Sequence, residues 1–258
     1  MDITWYHYLI AIVGSAIAGS INTLAGNGSA ITLTILTELL GLPGNMANGT
    51  NRVGVLTQCA ASTYAFHRNG KLDLQRGRLP IVLITLGAIA GVIVAVWVSS
   101  EQFKQVFRFL LVVMLFFILI KPKRWLRATD TSKAPSLWLM IPIFLGLGFY
   151  GGFIQMGMGV FFLAAMVLVA RYSIMDSNVI KSAVVGLYTI VVLAIFAWQG
   201  LVDWRIGGIM AIGQTTGGYL TAHYASRFPQ ANLWAHRVLV VVVIGAILKL
   251  FDVHTLLL

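Results

Sequence analysis

Ten apolar stretches organise this chain, at about 6–24, 29–42, 45–66, 79–98, 104–120, 137–155, 160–170, 175–198, 204–224 and 233–251. A hydrocarbon core about 30 Å thick is crossed by about 20 helical residues, each advancing about 1.5 Å, and most of the stretches approach that length. Their apolar character is continuous rather than alternating, which points to helices and away from the alternating ten-residue strands of an outer-membrane barrel. Only 10% of the residues are charged, against about 25% in a soluble domain, too few to clothe a water-soluble core. The expected fold is all-α: a polytopic transmembrane helical bundle in a single domain over 1–258, with about eight to ten crossings and no sizeable domain outside lipid.

This composition excludes soluble enzymes and nucleic-acid readers. The net charge of +10 reads first as basic cytoplasmic loops and not as a nucleic-acid surface. No basic residue precedes the first stretch and no small-residue cleavage motif follows it, so a removable signal peptide is not expected. Cys59, the one cysteine, cannot form an internal disulfide and reads as a packing residue. Without a Cys/His cluster at ligand spacing, no metal and no cofactor are expected.

Two stretches, 29–42 and 160–170, are too short to cross unaided, about 16 to 21 Å as helix. Each follows a Gly-x-Gly break, Gly26-Asn27-Gly28 and Gly157-Met158-Gly159. Such breaks persist at membrane depth only beside protein or a wet cavity. They are read as half-helices at the midplane, either spanning with a partner or re-entrant. Three landmarks recur at nearly one spacing. The breaks lie 131 residues apart, Gly70-Lys71-Leu72-Asp73 and Gly200-Leu201-Val202-Asp203 lie 130 apart, and the runs from Arg108 and Arg237 lie 129 apart. This is the pattern of a duplicated chain: repeat 1 over 4–121, a linker over 122–136 holding Pro122 and Pro135, and repeat 2 over 137–252.

Five segments per repeat is an odd number, so the halves are expected to have inverted topology. With both termini outside, twelve basic residues face inward: Arg68, Lys71, Arg76, Arg78, Lys121, Lys123, Arg124, Arg127, Lys133, Arg171, Arg227 and Arg237. Only Lys104, Arg108, Arg205 and Lys249 face outward, as the positive-inside rule requires. Trp5, Tyr6, Trp97, Trp125, Trp138, Trp198, Trp204 and Trp234 sit near segment ends and read as interfacial anchors.

Two basic residues are left over, Arg52 and Lys181, at equivalent depths in segments 45–66 and 175–198. Each is about 10 Å below a face, where an unsatisfied charge costs a few kcal/mol or more. Either they snorkel toward headgroups or they serve a site. No acid lies deep in any segment, so the second reading calls for a mobile anion. Half-helix N-termini would add unpaired N–H groups and positive dipole ends. Polar residues gather at these places: Asn22, Asn27 and Ser29 with Gly26 and Gly28 at the first break; Asn48, Thr50 and Asn51 before Arg52; Gln155 with Met156, Gly157, Met158 and Gly159 at the second; Asn178 and Ser182 around Lys181. The amides and hydroxyls also serve as interhelical glue, and Met156 and Met158 as adaptable packing. Together these residues are the expected substrate site, with no catalytic residue among them. A carrier of cations or neutral solutes, with Arg52 and Lys181 purely structural, is the alternative.

The run Gly19-Ser20-Ile21-Asn22-Thr23-Leu24-Ala25-Gly26-Asn27-Gly28, then Asn48-Gly49-Thr50-Asn51, Gly70-Lys71-Leu72-Asp73, and in the second half Gly148, Gly151, Gly157, Gly159, Gly200 and Asp203, resemble the TauE/SafE family of sulfite exporters over nearly the whole chain. The chain departs from the family pattern where Ser29-Ala30 follow Gly28 and no proline appears before Pro43. The resemblance implies a transporter of the bacterial inner membrane, often an exporter, with a small sulfur-containing anion as partner: sulfite, sulfoacetate or another sulfonate. Apolar faces all round are compatible with a monomer or a homodimer. Direction, coupling ion and exact substrate stay open.

Overall fold

The computed structural model describes residues 4–69, 77–119, 137–172, 174–224 and 244. The tenth stretch apart from residue 244, the linker, Trp125 and Trp234, and the landmarks at 70–73 and 237–242 lie outside them.

Nine α-helices are found among the described residues: α1 Trp5–Ala25, α2 Gly28–Thr34, α3 Gly44–Arg68, α4 Arg78–Trp97, α5 Ser100–Leu119, α6 Leu137–Phe153, α7 Met158–Leu168, α8 Ile174–Trp198 and α9 Trp204–Tyr224. They follow the apolar stretches closely, because continuous apolar text with Gly and Ala has no competing pattern to satisfy. The chain is long and apolar enough to cross a membrane in Trp5–Ala25, Arg78–Trp97 and Asp176–Trp198. Trp5, Trp97, Trp138, Trp198 and Trp204 are exposed at helix ends, as interfacial anchors are.

The breaks are less alike than the glycine pattern suggests. The first spans only Gly26 and Asn27, since Gly28 is already helical. Gly26 takes φ 76°, and its N–H closes α1 on the carbonyls of Ile21 and Asn22. The short helix after it is prolonged by a π turn at Ile35–Leu39. The second break runs from Ile154 to Gly157, because α6 ends at Phe153, and both Gln155 (φ 64°) and Gly157 (φ 71°) are left-handed. For Gln155 that conformation is uncommon in a residue with a Cβ.

Helices pair across the two halves of the chain: α1 lies on α9, α4 on α6, and α3 on both α8 and α9. Small residues permit this closeness. A methyl group on Gly217 would overlap the Ala16 carbonyl, and one on Gly91 would overlap the Phe149 carbonyl. The central pair, α3 and α8, runs antiparallel, with Gly49 against Phe196 and Cys59 against Gly186. The breaks also meet: Gly159 N–H donates to the Gly26 carbonyl at 3.3 Å, and a Cβ on either glycine would overlap the other. Two apolar clusters flank this centre, one holding Ile21, Leu33, Leu36, Phe103 and Phe107, the other Ile84, Phe144, Phe162, Val184 and Tyr188.

Candidate functional site

The first turns of α3 fasten several elements together. Asn48 Nδ2 donates to the Phe153 carbonyl at 2.7 Å. Gly49 packs against Leu201, and Thr50 Oγ1 accepts the Asp203 N–H at 2.9 Å. Thr32 donates to Asn51 Oδ1 at 2.6 Å, tying α2 to α3. Arg52, fully buried, reaches the end of α6. Its Nη1 donates to the Gly151 carbonyl and to Gln155 Oε1, both at 2.8 Å; its Nη2 donates to the Gly152 carbonyl at 3.1 Å and to Asn48 Oδ1 at 3.3 Å.

Lys181 makes the corresponding connection on α8. Its Nζ donates to the carbonyls of Asn22 and Thr23 at 3.2 and 3.1 Å, and to Asn178 Oδ1 at 2.9 Å. An ammonium has three donors, and all three are engaged. Each cation therefore caps the C-terminal end of the helix that precedes a break. A helix end carries about half a negative charge there, which offsets part of the cost of burying the cation. The carboxylate inventory of the sequence missed this, because it did not count backbone carbonyls as counter-charges.

The same numbers govern both caps. Arg52 and Lys181 are 129 positions apart, as are Asn22 and Gly151, and Thr23 and Gly152. The cations are nevertheless not side by side. Given the register of α3 against α8, Arg52 lies level with about position 193, about 18 Å along the axis from Lys181.

Beside Lys181 is a narrow cleft of about 10 Å³, lined by Asn22, Gly26, Gln58, Cys59, Gln155, Met158, Gly159, Lys181, Ser182 and Val185. It has room for about one water molecule. Its polar lining is one ammonium, three amides and one hydroxyl, with no carboxylate. Gln58 is oriented by Asn22 Nδ2, which donates to its Oε1 at 2.7 Å, while its own Nε2 donates to Thr23 Oγ1 at 3.1 Å. Ser182 Oγ donates weakly to the Asn178 carbonyl at 3.4 Å.

Of the residues anticipated from the sequence, the cleft gathers Asn22, Gly26, Gln155, Met158, Gly159, Lys181 and Ser182. Asn178 stands behind Lys181 as its acceptor. Asn48, Thr50, Asn51 and Arg52 are engaged with neighbouring helices, and Met156 is buried in the apolar core. Asn27, Gly28 and Ser29 are buried at the start of α2, where Asn27 Oδ1 and Ser29 Oγ have no partner among the described residues. Gly157 is the N-cap of α7. The expected unpaired N–H groups are not found at this second helix start. Met158, Gly159 and Val160 donate to the carbonyls of Gln155, Gly26 and Gly157, because the break folds back as turns and the other break docks against it. Gln58, Cys59 and Val185 were not anticipated. Gln58 carried a legible signal, an amide about 1.7 turns beyond Arg52 in an apolar segment.

A curated relative from a Sinorhizobium species, described as a probable membrane transporter protein ORF9, is 26% identical over 225 residues, 87% of this chain and 85% of the relative. A probable membrane transporter protein of Haemophilus influenzae is 24% identical over 208 residues, 80% of each chain. No solved structure matches the chain. The family model described as sulfite exporter TauE/SafE matches residues 11–250. With apolar helices, breaks at the centre and this match over nearly its full length, the chain belongs to the TauE/SafE family of multi-pass membrane transporters.

Proposed function

We propose that this protein is a secondary transporter that carries a small sulfur-containing anion, such as sulfite, sulfoacetate or another sulfonate, out across the bacterial inner membrane. The observation that carries the reading is Lys181: a buried ammonium lining a cleft of amide and hydroxyl groups with no carboxylate among them. The family's description as sulfite exporters supports the substrate class. An anion entering the cleft replaces one of the three acceptors of the Nζ hydrogen bonds. Asn178 is the partner that yields, since it is a half-buried side chain whereas the other two acceptors belong to the backbone of α1.

The reading includes two inverted repeats that rock about the paired breaks, with both termini outside. Its support is the common spacing of 129 in the two caps and the antiparallel α3 and α8. In this arrangement the narrow cleft is an occluded state, and opening toward either face parts one cap from its helix end.

The competing reading is a permease for a cation or a neutral solute, in which Arg52 and Lys181 only tie helices together. It draws on the complete hydrogen bonding of Lys181 Nζ. Flux into proteoliposomes separates the two: the anion carrier moves sulfite or a sulfonate and not sodium or sugars, and the opposite selectivity contradicts it.

A further inference from the structure

The two caps match in spacing but differ in what surrounds them. Beside Lys181 the cleft is bordered by Cys59. The position 129 further on is Tyr188, fully buried. Its ring stands next to Gly151, which is the counterpart of Asn22, and its hydroxyl contacts Met158 Sδ at 3.9 Å. Arg52 and Gln155, the counterparts of Lys181 and Gly26, also neighbour that hydroxyl. A phenol thus stands on the Arg52 side at the position that the small Cys59 side chain holds beside the cleft. Arg52 Nε, fully buried, has no hydrogen-bond partner among the described residues, an unusual condition for a guanidinium N–H.

We propose that Arg52 stands at a second, latent site for a small oxyanion, which the Tyr188 side chain fills. The inference rests on the reading of Lys181 as an anion site and on the repeat described above. Tyr188 then restricts the carrier to one anion per cycle and leaves Arg52 as a helix clamp. Removing the ring exposes a guanidinium with one free N–H, to which an oxyanion oxygen can bind.

The test uses the purified full chain in detergent, titrated calorimetrically with sulfite. The wild type is expected to bind one ion, Tyr188→Cys two, and Lys181→Gln none. In the Lys181→Gln/Tyr188→Cys double variant binding returns with a stoichiometry of one, and Arg52→Lys in that background weakens it by about tenfold, because the fork is lost while the charge stays. A double variant with a cooperative melting transition and no binding overturns the latent site and leaves the Lys181 reading intact. If Lys181→Gln binds like the wild type, the Lys181 reading fails. The latent site is then decided by whether Tyr188→Cys gains one bound ion. Should the Tyr188 variants not fold, Cys59→Tyr decides: a ring there is expected to fill the cleft and abolish binding, and undiminished sulfite binding overturns the idea that a ring at this position seals a site.

Discussion

The caps on α6 and α1 use the same geometry with different chemistry, and the contrast separates a clamp from the proposed binding group. At α6 a guanidinium spreads four hydrogen bonds over two carbonyls and two amide side chains, with an aromatic ring sealing the space beside it. At α1 an ammonium makes three bonds, one of them to the half-buried Asn178, and a cleft lies beside it. A planar fork fits several fixed acceptors, whereas a compact ammonium exchanges partners readily. On the proposed function, the Arg52 cap holds its helix end while the Lys181 cap yields one partner to the anion.

Breaking the clamp should have the largest effect. Arg52→Leu strips the donor from two carbonyls and two amide oxygens, and each buried acceptor left bare costs about 1 to 3 kcal/mol. The expected result is loss of the cooperative unfolding transition in detergent; a melting temperature close to wild type contradicts the clamp. Next is Gly159→Ala, whose added methyl group overlaps Gly26. Forcing the breaks apart should cost about 1 to 3 kcal/mol and slow transport in proteoliposomes, and unchanged flux and stability would mean that the breaks do not bear on one another. Thr50→Val deletes a single bond to the Asp203 N–H. It should lower stability by about 1 kcal/mol with sulfite affinity unaltered, so a large affinity loss would return Thr50 to the substrate site. The smallest change is expected from Ser182→Ala, which removes a hydroxyl from the cleft and should weaken sulfite binding only about threefold, under 1 kcal/mol.

Much of this could be read from the residues. Helix limits followed hydropathy because lipid allows the backbone few alternatives, so α4, Arg78–Trp97, begins and ends within one residue of its apolar stretch. Arg52 and Lys181 stood out because charge is rare in apolar segments. Their partners did not, since the carbonyls they cap belong to every residue and lie about 100 and 160 positions away in the chain. A sequence shows which side chains need satisfying, but not which helix end folds against them. The separation of the two cations was hidden for the same reason: it depends on α3 and α8 running antiparallel. Cys59 read as packing, which is consistent with its small size but silent about the cleft it borders. The partners of Thr50 and Asn51, Asp203 and Thr32, were hidden in the same way.

The central claim is that Lys181 receives the anion, and calorimetric titration of sulfite into the purified wild type and Lys181→Gln addresses it most directly. Glutamine keeps two donors for the α1 end while removing the charge, so the variant should fold and bind sulfite at least about 100-fold more weakly, a loss of about 2.7 kcal/mol. Equal affinity in the two folded proteins would contradict the account and leave Lys181 as a clamp like Arg52.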